Sequence, residues 1–235
     1  MEKKVSIITI TYNSEETIEE TIKSVLSQNY PNVEYIIVDG ASKDNTLEIV
    51  NKYRDKIDKI ISEPDNGICD AFNKGIENST GDIIGIINSD DLLLPGAIKR
   101  LCSMIKDDTD VFYGNGKRLF QDGHTEQYRA QHCKKLKYYM ALVHPATFIT
   151  KNAYIKYGMF DLRYKACMDR ELLLRMYSKG AVFQYDSFEY AVYRMGGFSD
   201  STFGTVVSKE REEISLEYGV HPLVIKILSI IAKTK

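Results

Sequence analysis

Two carboxylates side by side repel each other and cost free energy when buried. Asn88-Ser89-Asp90-Asp91 places such a pair directly after the apolar run Ile83-Ile84-Gly85-Ile86-Ile87. A hard divalent cation, Mg²⁺ or Mn²⁺, is the partner that suits it. Such an ion takes one or two protein carboxylates and leaves positions for phosphate oxygens. The competing use is structural, with one Asp capping the helix that enters at Pro95 and the other solvated. Asp39 ends another apolar run, where it either accepts hydrogen bonds from a base or ribose or closes an Asx turn into Gly40-Ala41-Ser42. Tyr12 offers a ring for stacking or for packing, and Gly40 and Gly67 allow close backbone approach. Asp169, in Cys167-Met168-Asp169-Arg170-Glu171, is either a helix cap or a general base for an acceptor hydroxyl. The histidines His124, His132, His144 and His221 show no ligand spacing, and only His144 stands near a suggestive motif. The cysteines 69, 102, 133 and 167 have neither zinc nor redox spacing and read as reduced thiols. No GK[ST] phosphate loop is present, and Gly114-Asn115-Gly116 lacks the third glycine of a dinucleotide loop.

These residues fall at the ends of alternating elements. Apolar runs at Val5, Val33, Asp58 and Asp82 read as strands. Helical patterns follow each of them, over 13–28, 46–56, 68–79 and 95–106. Asn13 with Glu16 has the form of an N-cap and its return partner. Strand and helix alternating through short links predict right-handed crossovers and a mostly parallel sheet. Ligands then bind beyond the carboxyl ends of the strands. Residues 11–13, 39–42, 65–67 and 90–91 all fall there. Beyond residue 115 the pattern becomes mixed. Asp122-Gly123 signals a hairpin, Arg129–Tyr139 is basic, the stretch around Asp169 is helical, and 181–199 reads as paired strands. We expect a first half over 1–115, a second half of the same domain over 116–219, and an amphipathic helix over 220–235.

The 235 residues carry a net charge of −2, 43% hydrophobic and 27% charged residues. That is an ordinary composition for a globular protein, with no nucleic-acid partner indicated. The apolar stretch at the N-terminus is too short for a signal peptide, and no run reaches the roughly 20 residues that span a bilayer. Cytoplasmic residence is the expectation.

The segment from Val5 through Asp44-Asn45-Thr46 resembles the opening of family-two glycosyltransferases, the inverting class with the GT-A fold. Residues 63–91, from Glu63-Pro64-Asp65 to Asp90-Asp91, are similar to its middle motifs, and 144–176 resembles its acceptor-side segment. Tyr193-Arg194-Met195-Gly196-Gly197-Phe198-Ser199 matches a motif of relatives that build bacterial cell-surface polysaccharides. The resemblance covers roughly residues 3–200 and implies a UDP-sugar donor with a Mn²⁺ or Mg²⁺ cofactor. It alone makes 1–115 the nucleotide-sugar-binding half and 116–219 the acceptor-binding half. It implies that Asp39 recognises the base, that Ile10 and Tyr12 line the base pocket, and that Asp90 holds the ribose. It further implies that Asp91 holds the metal, that Asp65 and Lys74 lie near the donor, and that Asp169 is the catalytic base. Met168 stands where many members have Glu, and Pro145 where several have Gln.

The reading is therefore a metal-dependent inverting transfer from a nucleotide-sugar to a hydroxyl of a saccharide or lipid-linked saccharide acceptor. Its rivals are a sugar nucleotidyltransferase, which normally opens on a glycine-rich loop absent here, and a non-catalytic binding subunit of the same fold. The tail His221–Lys235 is amphipathic. It packs on its own domain or on a homodimer partner, or lies as a peripheral contact on the membrane surface.

Overall fold

Strand β1 (Val5–Thr11) is buried at every position, because it lies at the centre of a parallel group with a hydrophobic layer on each face. Ile8 and Ile10 belong to one layer, with Phe72 and Ile76 of helix α3 (Ile68–Glu77). Val5 and Ile7 belong to the other, with Ile18, Ile22 and Val25 of α1 (Ile18–Leu26). The period of two along the strand thus feeds two helical stripes of period 3.6. A Cβ on Gly75 of α3 would collide with Ile8, so glycine there sets how closely α3 seats on the sheet.

The structure, a computed structural model, describes residues 2–196 and 204–233. Strands β2 (Val33–Asp39), β3 (Lys59–Ser62) and β4 (Ile83–Ile86) complete the parallel group, with α2 (Thr46–Asn51) between β2 and β3. After β4 come the short β5 (Leu92–Leu93), α4 (Ala97–Met104), β6 (Val111–Leu119) and β7 (Thr125–Tyr128). β8 (Thr147–Thr150), α5 (Lys151–Tyr157), α6 (Met168–Ser178) and β9 (Phe183–Arg194) follow. The chain then forms α7 (Gly204–Glu217) and α8 (Pro222–Lys233). The sheet order is β3-β2-β1-β4-β8-β6-β9-β5, with β7 on β6. β8 lies antiparallel to both β4 and β6, so residues from the second half extend the sheet begun by the first. The boundary expected at 115 falls inside β6.

The four expected strand–helix alternations are present, and Asp122-Gly123 forms the β6–β7 turn with Gly123 at φ +86°. Gly114 and Gly116 are strand residues, not a phosphate loop. Two local expectations fail. Asn13 does not cap α1; Thr17 holds that position. Asn13 instead adopts φ +49°, and its side-chain oxygen accepts the Lys43 N–H at 2.8 Å, so it ties the β1 loop to the β2 loop. Residues 183–194 form one 12-residue strand, not two paired ones. Asp186 and Ser187 are turn-prone types, but the chain keeps one direction through them and stays parallel to β6 on both sides. The surplus length bulges between Tyr185 and Glu189 while pairing with β6 resumes on either side. Asp186, in the bulge, accepts a two-pronged Arg100 contact and the Tyr190 hydroxyl. Residues 197–199 of the glycine-serine motif lie outside the described residues.

Candidate active site

The parallel register brings Thr11, Asp39 and Ser62 to one level at the carboxyl edge. A cleft of about 730 Å³ opens there. One wall comes from Ile10, Thr11 and Tyr12 at the end of β1, Asp65 and Gly67 before α3, and Asn88, Ser89 and Asp90 after β4. The opposite wall comes from Gln121 and from Tyr193 through Gly196, at the end of β9. Tyr12 is 55% exposed, a ring presented to the cleft and not spent on the core. Gly40 lies close beneath it: a Cβ there would meet Asp65 Oδ2 at 2.5 Å, displacing that carboxylate, and would touch the Tyr12 ring at 3.4 Å.

The four-residue turn 88–91 is pinned from both sides. Thr21 Oγ1 of α1 donates to the carbonyls of Ser89 and Asp91 at 2.9 and 2.8 Å. From β9, Arg194 Nε donates to the Asp90 carbonyl at 3.1 Å, and the Arg194 N–H donates to Asp91 Oδ1 at 3.1 Å. The two aspartates therefore differ. Asp90 lines the cleft, whereas Asp91 is 1% exposed, is not among the lining residues, and fixes β9. Burial, and then the Asp90 charge beside it, push the Asp91 carboxyl well above its ordinary value; Arg194 and Asn88 offset part of this.

Asp39 is fully buried. Its carboxylate accepts the Ser42 N–H and hydroxyl and the Ser62 hydroxyl, the last two at 2.5 and 2.7 Å, so it organises the loop below the cleft. Asp65 Oδ1 accepts the Gly67 N–H at 2.9 Å at the entrance to α3. Lys74 is turned to Glu63, to Asp70 and to the Pro64 carbonyl, and it does not line the cleft.

Asp169 lies elsewhere, in the first turn of α6 after the cap residue Cys167. It lines a small cavity of about 20 Å³ with His144, Thr147, Tyr154 and Phe160. That is roughly the room of one water. His144 stacks obliquely on Phe72 at 5.6 Å. Burial holds the imidazole below its ordinary pKa, and the Asp169 charge raises it in part, so the ring is neutral near pH 7. α3 supplies Ala71 to the large cleft and Phe72 to His144, and so joins the two places.

Two features had no strong sequence signal. Arg194 of β9 stands across from Asp90, its guanidinium also bonded to Glu20 at 2.7 Å. Thr11 Oγ1 and Asn88 Oδ1 are buried without a hydrogen-bond partner among the described residues, and both residues line the cleft. An unsatisfied buried polar atom costs about 1–3 kcal/mol. A ligand with donors or a cation at this level would recover that cost. No three His, Cys, Asp or Glu side chains converge as a metal cluster among the described residues.

The chain is 36% identical over 124 residues to the putative teichuronic acid biosynthesis glycosyltransferase TuaG of Bacillus subtilis, a match that spans 51% of this chain and 49% of that one. It is 26% identical over 233 residues to a PGL/p-HBAD biosynthesis glycosyltransferase of Mycobacterium bovis BCG, covering 94% and 89% of the two chains. Among solved structures, TarS 1–349 of S. aureus in complex with UDP-GlcNAc superposes with a TM-score of 0.73 at 21% identity, over 90% of this chain and 64% of that one. A mannosyltransferase of Pyrobaculum calidifontis with GDP-Man and Mn²⁺ gives 0.69 at 16% identity, over 97% and 68%. These superpositions identify the fold as GT-A. The model of glycosyl transferase family 2 matches residues 6–182, and the chain belongs to that family.

Proposed function

We propose that this chain transfers a sugar from a nucleotide-sugar, a UDP-sugar in the first instance, to a hydroxyl of a saccharide or lipid-linked saccharide during cell-surface polysaccharide or glycan synthesis. The observation that carries this reading is the charge of the cleft. Glu15, Glu16, Asp44, Asp65 and Asp90 line it against the single arginine 194. A diphosphate would be repelled from such a wall without a cation. A half-buried carboxylate lining the cleft, with an orphaned amide oxygen in the same turn, fits a divalent ion that takes few protein ligands. We therefore assign the ion to Asp90, with Asn88 Oδ1 beside it, and give Asp91 the task of holding β9 in place. When bound, the ion offsets negative charge on the departing diphosphate.

The chain's own residues do the rest. Tyr12 offers a stacking face for the base, and Thr11 Oγ1 an unsatisfied polar atom at the level of Asp39. Asp169 takes the proton from the acceptor hydroxyl as that oxygen attacks the anomeric carbon in line with the departing diphosphate. A single displacement inverts the configuration. Neutral His144 shares the Asp169 cavity and is placed to hydrogen-bond the acceptor. A thermal-shift panel of UDP-, GDP- and dTDP-sugars with and without Mn²⁺ tests the reading. A shift with one nucleotide class that depends on Mn²⁺ supports it. Stabilisation by nucleoside triphosphates alone, with pyrophosphate release on adding a sugar phosphate, would point to a nucleotidyltransferase instead.

A further inference from the structure

Asp169 is reached through a short loop, 165–167, that is held by a helix lying beyond the family match. Glu210 of α7 is 43 residues further along than Cys167, and its side chain is buried. One carboxylate oxygen accepts the Lys165 N–H at 2.7 Å. The other accepts those of Ala166 and Cys167 at 2.9 and 2.8 Å. Three successive N–H groups thus converge on one carboxylate immediately before α6, whose own cap residue contributes no side-chain bond. On the other side of Asp169, Arg170 is 1% exposed. Its guanidinium donates to the carbonyls of Leu136, Lys137 and Arg211 and to the Ser215 hydroxyl, at 2.8–3.1 Å. α7 therefore grips the chain on both sides of Asp169, with a negative group before it and a positive one after.

Neither charge is paired with an ion of opposite sign among the described residues; both are spent on fixed backbone dipoles and one hydroxyl. Buried charges cost several kcal/mol to desolvate, and apolar residues of similar size commonly give equal stability. What Glu210 and Arg170 supply, and an apolar pair cannot, is a defined orientation of the loop and first turn that carry Asp169. We infer that they are positioning residues, through which α7 fixes the Asp169 carboxylate for proton abstraction. The inference rests on Asp169 acting as the base.

The test uses the full chain and the UDP-sugar that it turns over fastest. Four variants are compared: Glu210→Gln, which puts an NH₂ donor where an acceptor oxygen stood; Arg170→Lys, which keeps the charge and loses the fork; Asp169→Asn; and the double variant Asp169→Asn/Glu210→Gln. Glu210→Gln should leave UDP binding in Mn²⁺ within about twofold and lower kcat by about tenfold or more, as misplacement of a reacting group does. Hydrogen exchange at the amides of 165–167 should quicken. In the Asp169→Asn background the same change should lower the residual rate by less than about twofold, because coupled residues are not additive. An equal loss in both backgrounds would show ordinary packing and overturn the inference. So would undiminished kcat in Glu210→Gln beside an inactive Asp169→Asn. Turnover of Asp169→Asn at the parent rate would instead remove the base assignment beneath it. Should Glu210→Gln fail to fold, Arg170→Lys carries the same comparison.

Discussion

Asp90 and Asp91 are chemically identical neighbours in the sequence, and only burial tells them apart. Exchanging one carboxylate oxygen for an amide at Asp90 removes a charge from the cleft, so Asp90→Asn should weaken Mn²⁺-dependent UDP binding by about tenfold or more, the scale of a lost charged contact. Asp91→Asn keeps an oxygen for the Arg194 N–H and removes a buried charge. Its binding should stay within about threefold, with thermal stability unchanged or raised. Calorimetry on both variants decides between them, and the opposite order would return the ion to Asp91. Asp169→Asn should lower transfer by about 10²–10⁴-fold, the usual worth of a general base, with UDP affinity retained. The resemblance pointed to Asp39, Asp65, Asp90, Asp91 and Asp169, but not to Asp44, which also lines the cleft. It could not show which of them faces solvent, because exposure at 90 and 91 is decided by β9, about a hundred residues away. Thr11, Asn88 and Arg194 stand in segments the sequence singled out, but without a role, which became visible only as atoms facing a common space.

Strands buried on both faces were legible as continuous apolar runs, hence β1, β2 and β4, and helices with one apolar stripe by their period of 3.6, hence α1 and α3. The failures fall where distant partners decide. Asn13 has the composition of a cap, but a backbone N–H on the neighbouring loop claims its side chain, and β9 absorbs a bulge that the sequence read as a reversal. The loop after β2 carries a cost of its own. Ala41 sits at φ +61°, where a Cβ is disfavoured by roughly 1–2 kcal/mol. Ala41→Gly relieves that strain and adds freedom to the unfolded chain. A net gain of about 0.5–1 kcal/mol is expected, read as a higher urea midpoint with an unchanged slope.

Across the whole molecule, β1, β2, the α3–β4 link and the N-terminus meet at Glu34. Burial raises its pKa, but hydrogen bonds from Ser6 and Thr80, and then Lys4, outweigh this and bring the carboxyl to about 2. A carboxyl depressed on folding contributes stability that is complete above its unfolded value near 4.5. That stability is lost as the pH falls from there towards 2. Glu34→Gln should therefore cost about 2 kcal/mol near pH 7 and little near pH 2, measured by urea titration at both. Ligand binding acts at the same scale, because the cleft joins the parallel strands to β9. UDP with Mn²⁺ at a hundred times Kd should stabilise by about 2.7 kcal/mol, raising Tm by roughly 5–10 °C. No helix among the described residues is long and apolar enough to cross a membrane. Leu223, Val224 and Ile227 of α8 are nonetheless exposed.

The hydrogen bond from the Arg194 N–H to Asp91 spans 103 positions in the chain. On a translating ribosome, at about 5–20 residues per second, the first carboxyl-lined strands emerge some 5–20 s before the amide that satisfies Asp91. At the start of that interval the parallel strands have been made, but the layer on their α3 face still lacks Ile149 of β8 and Leu172 and Leu173 of α6, and the rim is open. It is then that a chaperone would be needed, and a fragment ending before β9 should be recovered folded at its centre yet blind to nucleotide.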